Sequence, residues 1–273
     1  MSAETYLTGV GRILNEIQTT QLPTIKAAAA KMADSIRAGG RVYLFGSGHS
    51  VIPVMDVFPR YGGFVGFFPL YDPRLMWSNV IGPGGARELL WIERQEGYAR
   101  VFLQSFPLES RDCMVVFSHG GLNAAPVEVA QEARRLGLTV ITVSSLENAR
   151  SHEAMHSSGQ KLSDVAHFAI DNCTPPEDAL VDVGQIEKVA AGSTVAAVAI
   201  AMSLVAETAA RLAEKGGVPP TFVSPNVAGV KPGHLEHVYQ AFTDFYYART
   251  TVGRNEEGRG SRIEDRGPRI EDQ

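Results

Sequence analysis

The chain has 273 residues, enough for one large domain or a domain with a helical extension. Hydrophobic residues make up 44% and charged residues 20%, and the net charge is −5. That balance fits a soluble globular protein and offers no basic footprint for nucleic acid. The two cysteines, Cys113 and Cys173, each sit beside an apolar run and read as buried free thiols, so nothing requires an oxidising compartment. No basic segment precedes an apolar run at the start, so no secretory signal is read and the expected location is the cytoplasm.

The first elements read as two helices. Tyr6, Leu7, Val10, Ile13, Leu14 and Ile17 keep the helical period, and Leu22, Ile25, Ala29, Met32 and Ile36 continue it after a break near Pro23. Gly39 and Gly40 end the second helix. Residues 41–45 form a short apolar run that ends in Gly46-Ser47-Gly48-His49-Ser50, with a helix expected from Val51. Residues 64–70 read as a strand, 71–87 as a long Pro- and Gly-rich loop, and 92–106 as a helix. The run 113–117 is the clearest strand, continuous and apolar as when both faces are covered. It leads into Ser118-His119-Gly120-Gly121-Leu122-Asn123, then a helix that starts near Pro126 and stops at Gly137. Strands follow at 138–143, ending in Ser144-Ser145, and at 166–170, with a short edge strand at 180–183.

Residues 189–206 carry no charge and are long enough to span a bilayer. They are mostly alanine with Gly192, Ser193, Thr194 and Ser203, and Glu187, Lys188 and Glu207 flank them closely. A helix inside a soluble protein is expected, and no membrane partner. A last helix covers 233–248. The polar tail 254–273 repeats Arg-Ile-Glu-Asp and reads as disordered. Strands alternating with helices predict an α/β fold, a doubly wound five-stranded parallel sheet with an N-terminal helical pair, in one domain over 1–253.

In such sheets ligands bind outside the carboxyl ends of the strands. Three of those ends carry hydroxyls and glycines: 46–50, 118–123 and Ser144-Ser145. Glycines let backbone N–H groups approach an anion, and serine hydroxyls add donors. The third glycine of a dinucleotide fingerprint is replaced by Val51, and no Walker-type lysine or nucleophile elbow is found. His152 with His156, and His234 with His237, have helical spacing but no third ligand in a recognisable pattern, so no metal site is expected.

Gly-Ser-Gly-His-Ser after a strand resembles the first phosphate loop of the sugar isomerase (SIS) family. Residues 112–128 resemble its second motif, and 187–197, with Glu187 ahead of Ser193 and Thr194, its third. The resemblance covers residues 5–250, and the chain is distantly similar to phosphoheptose isomerase and N-acetylmuramic acid 6-phosphate etherase. Gly120 stands where the second motif has another serine, and Asp56 and Pro59 stand where phosphoheptose isomerase has a His and a Glu.

The resemblance implies a small anionic sugar as ligand, no cofactor, and a homodimer or homotetramer. Ser47, Gly48, Ser50, Ser118, Gly121, Asn123, Ser144 and Ser193 would bind the ligand. Glu187 would be the base of an aldose–ketose isomerisation through an enediol, with His234 or His49 as proton shuttle. Glu187 equally fits a helix-start charge, and His234 a surface or capping residue. Two other readings stand beside this one: an etherase-like lyase using Glu96, and a non-catalytic sugar-phosphate sensor.

Overall fold

The computed structural model describes residues 2–76 and 85–249. Its sheet has five parallel strands in the order β2-β1-β3-β4-β5: β1 (Val42–Gly46), β2 (Phe67–Pro69), β3 (Cys113–Phe117), β4 (Thr139–Ser144) and β5 (Phe168–Asp171). Side chains alternate across each strand, and that alternation builds two cores. Val42 and Leu44 of β1, with Cys113, Val115 and Phe117 of β3, face one layer. Tyr43, Phe45, Met114 and Val116 face the other.

The first layer contains α1 (Ser2–Glu16), α2 (Leu22–Arg37), α3 (Val51–Val57) and α9 (Ser193–Ala213). The expected break near Pro23 is a π-helical turn, Ile17–Gln21, that leads straight into α2. Pro23 fits there because the first helical turn has unsatisfied N–H groups anyway. Among the described residues, α9 is the one helix long and apolar enough to cross a membrane. One face packs on α2 and α3 and buries Ala196, Ile200, Leu204, Thr208 and Leu212, while Val195 on another face is exposed.

The second layer contains α4 (Gly85–Ile92), α5 (Tyr98–Leu103), α6 (Ala124–Arg135) and α8 (Leu162–Val165), and a short helix α7 (Leu146–Ser151) follows β4. The helix expected over 92–106 is interrupted: Gly97 adopts φ 89, which breaks the run between α4 and α5. The expected edge strand at 180–183 is not part of the sheet. β6 (Ala179–Val181) pairs with β7 (Val189–Ala191) in a separate antiparallel hairpin that rests on α1.

Helix α10 (His234–Tyr247) covers the β2 edge, with Phe242 on Phe58 and Tyr246 stacked on Phe68. Beyond it, Arg249 forms a two-bonded pair with the buried Asp112, at 2.7 and 2.9 Å. Of the expected long loop, residues 73–75 form a 3-10 turn, and 77–84 lie outside the described residues. The expected disordered tail lies outside them as well.

Candidate functional site

The carboxyl ends of β1 and β3 are shaped by two tight loops. After β1, Ser47 is extended and Gly48 enters a 3-10 turn, Gly48–Ser50, with φ 59. The backbone N–H of Ser50 donates to the Ser47 carbonyl at 3.1 Å. Gly46 is required: a Cβ there would lie 2.1 Å from the Ser50 carbonyl oxygen. After β3, Gly121 has φ 65 and donates its N–H to Ser118 Oγ at 3.2 Å. A Cβ on Gly121 would already press on Ser144, at 3.3 Å.

A narrow cleft of about 10 Å³, room for about one water, lies between these loops and the start of α9. His49, Ser50, Ser118, His119, Asn172 and Ser193 line it. Four of the site residues expected from sequence thus meet: His49, expected as a proton shuttle, and Ser50, Ser118 and Ser193, expected to bind the ligand. Ser47 and Asn123 lie in the same loops but point to a residue that the sequence reading passed over. Ser47 Oγ donates to Glu93 Oε2 at 2.7 Å, and Asn123 Nδ2 donates to Glu93 Oε1 at 2.7 Å. Glu93 is 6% exposed and ties the two loops together. Burial pushes its carboxyl above the usual carboxylate range, while the Ser47 hydroxyl and Arg94 pull part of the way back.

A signal for Glu93 was present. Leu89, Ile92 and Glu93 fall at i, i+3 and i+4, so a carboxylate occupies the buried stripe of α4 and its end. Asp178 was also passed over. Its Oδ1 accepts from the N–H groups of Gly192, at 3.1 Å, and Ser193, at 2.7 Å, and its Oδ2 accepts from Ser193 Oγ at 2.8 Å. Asp178 therefore caps α9 from 14 residues upstream, a partnership that no local pattern announces.

His119 is fixed from two sides. Asn172 Oδ1 accepts from Thr174 N, so its amide nitrogen faces His119 Nδ1 at 3.3 Å. The His119 Nε2–H then points to the Pro176 carbonyl at 3.3 Å.

Other expected site residues are not at the cleft. Glu187 is not at a helix start; it sits exposed in the turn between β6 and β7, six residues before α9 begins. The first turn of α9 is held by Asp178 instead. Glu96 accepts from the backbone N–H of Ser157 at 2.7 Å and from its hydroxyl, in a separate groove beside α5 and α6. His234 opens α10 with its Nε2 2.8 Å from the Thr221 carbonyl. The Ser144 hydroxyl is buried beneath the second loop with no hydrogen-bond partner among the described residues. Gly48 and Gly121 shape the loops rather than line the cleft. Burial pushes the Cys113 thiol up to about 12 and that of Cys173 to about 11, so neither is a thiolate nucleophile at neutral pH.

The SIS domain model matches residues 5–145. A UPF0309 protein of Listeria innocua is 35% identical over 239 residues, 87% of this chain and 93% of its own length. Another, from Halalkalibacterium halodurans, is 36% identical over 225 residues, 82% of this chain and 88% of its own. A phosphoheptose isomerase from Francisella tularensis aligns with a TM-score of 0.50 at 16% identity, over 76% of this chain and 95% of that one. One from Neisseria gonorrhoeae also gives 0.50, at 13% identity, over 76% and 96%. These last two show a shared fold, and the relatives place the sequence among UPF0309 proteins. The chain belongs to the SIS-domain family.

Proposed function

We propose that this protein binds an anionic sugar, of which a sugar phosphate is the first candidate, and interconverts its aldose and ketose forms. The observation that carries the reading is Glu93, a buried carboxylate held between the two hydroxyl-bearing loops at the carboxyl ends of β1 and β3. The anion is held by the Ser50 and Ser118 hydroxyls with backbone N–H groups of the loops. Ser118 Oγ already accepts from Gly121 N, so its own proton is left for a ligand oxygen.

Glu93 takes the place in this reading that Glu187 held in the sequence. It removes the proton from C2 of the aldose, the electrons move to form the enediol, and the Glu93 carboxyl, whose proton exchanges with solvent at this stage, protonates C1 to give the ketose. Protons on O1 and O2 pass through His49, which lies on the first loop. The carbonyl of the sugar acidifies the C2 proton, so the step is complete without a redox partner. A raised carboxyl pKa suits a base that must also release its proton. The protein works in this reading as a cytoplasmic homodimer or homotetramer.

The test is exchange of the C2 proton with solvent deuterium, followed by NMR, over a panel of aldose and ketose phosphates. Wild type should wash label into one substrate, and Glu93→Gln should lower the rate about 10²–10⁴-fold while still binding it. Selective binding without exchange would replace the isomerase with a sensor. Release of lactate from a lactyl-bearing sugar phosphate would replace it with a lyase.

A further inference from the structure

The hydroxyls around the cleft are not equivalent, and the difference lies in where their protons go. Ser193 is the first residue of α9 and lines the cleft. Its proton is committed to Asp178 Oδ2. Toward the cleft Ser193 therefore offers lone pairs only, and an oxyanion needs donors. The backbone N–H groups of Gly192 and Ser193, which would otherwise point at an anion, are also taken by Asp178. Asp178 accepts an unfavourable φ of 63 to make these three bonds. The position that a helix dipole makes attractive to a ligand anion already holds a carboxylate of the chain itself.

We propose that Asp178 is a specificity-determining positioning residue: it keeps the ligand's anionic group away from Ser193 at the start of α9 and leaves the Ser193 hydroxyl, beside Thr194 on the same wall, as a hydrogen-bond acceptor that reads a sugar hydroxyl. The claim rests on the reading that the anion sits on the β1 and β3 loops, and it adds the orientation. The anion lies toward Ser50 and Ser118, and a neutral, proton-bearing group lies toward Ser193. A ligand with anions at both ends is rejected, because its second anion meets Asp178.

The test uses the whole chain and inorganic phosphate as probe, followed by calorimetric titration. In Asp178→Asn the Oδ1 atom still accepts from Gly192 and Ser193. The new amide donates to Ser193 Oγ, which frees the serine proton for the cleft and removes one negative charge. Phosphate affinity should rise about fivefold or more, and Asp178→Asn combined with Ser193→Ala should lose the gain. In the wild-type background Ser193→Ala should leave phosphate affinity within twofold, a measurement that needs no change at Asp178.

A folded Asp178→Asn with unchanged phosphate affinity overturns the proposal, as does a wild-type affinity that falls fivefold or more in Ser193→Ala. Failure of the underlying anion reading looks different. Wild type would then bind no phosphate, or would bind it equally well after Ser118→Ala, whatever Asp178→Asn does.

Discussion

Glu93 has a consequence for stability that is separate from turnover. Its carboxyl titrates higher in the folded chain than in the unfolded one because burial penalises the charge. The folded state therefore holds the proton more tightly, and stability falls as pH rises through the raised pKa. Glu93→Gln removes that slope. The melting temperature of wild type relative to Glu93→Gln should increase as pH is lowered from neutral toward the ordinary carboxylate range, and a difference independent of pH would refute the raised titration. The rate of C2 exchange should run the other way and fall on acidification, since the base must be ionised. Individual residues were the least legible part of the sequence. The serines and His49 announced themselves by following strands, but the carboxylates that decide what those serines can do came from distant segments. Glu93 lies 46 positions from Ser47 and 30 from Asn123. Glu187 and Glu96 had plausible neighbours in sequence and different ones in space.

Elements were easier to read, because local periodicity needs no distant partner. Continuous apolar runs marked β1, β3 and β4, the helical period marked α1 and α2, and an uncharged alanine-rich run marked α9. The errors arose where a tertiary choice intervened. A short apolar run at 179–181 does not reveal whether it joins the main sheet or pairs with 189–191. A helical pattern does not show that Gly97 will leave it, and Glu128 supports that departure by accepting the N–H of Gly97 and of Ala99. The first loop yields the sharpest element-scale prediction. Gly46→Ala puts a methyl against the Ser50 carbonyl, so the turn has to open. A cost of about 1–3 kcal/mol in chemical denaturation is expected, together with loss of sugar-phosphate binding. A variant of full stability and affinity would show that the turn relaxes freely.

At the scale of the whole molecule, the sheet is clasped from below. Asp112 precedes the central strand and is fully buried; it accepts from Arg41 N, Glu109 N and the two terminal guanidinium nitrogens of Arg249. Arg249→Ala leaves that carboxylate without its cation and should cost about 3–5 kcal/mol, read from the denaturation midpoint. The double variant with Asp112→Asn should lose less than the sum of the singles. Leu7 of α1, Ile52 and Met55 of α3 and Val195 of α9 remain exposed in the single chain. Sedimentation should show a dimer or tetramer, and a monomer at micromolar concentration would remove the oligomer from the proposed function.

The clasp also sets a polarity for handling the protein. Arg249 is anchored at the amino ends of the strands, and the cleft opens at their carboxyl ends, about 17 Å away across five residues of strand. A sensor chip or bead coupled beside Arg249 would grip the floor of the sheet and leave the cleft turned toward the bulk solution. The same coupling beside Ile186, at the tip of the hairpin next to α9, would hold the molecule by the wall on which Asp178 and Ser193 lie.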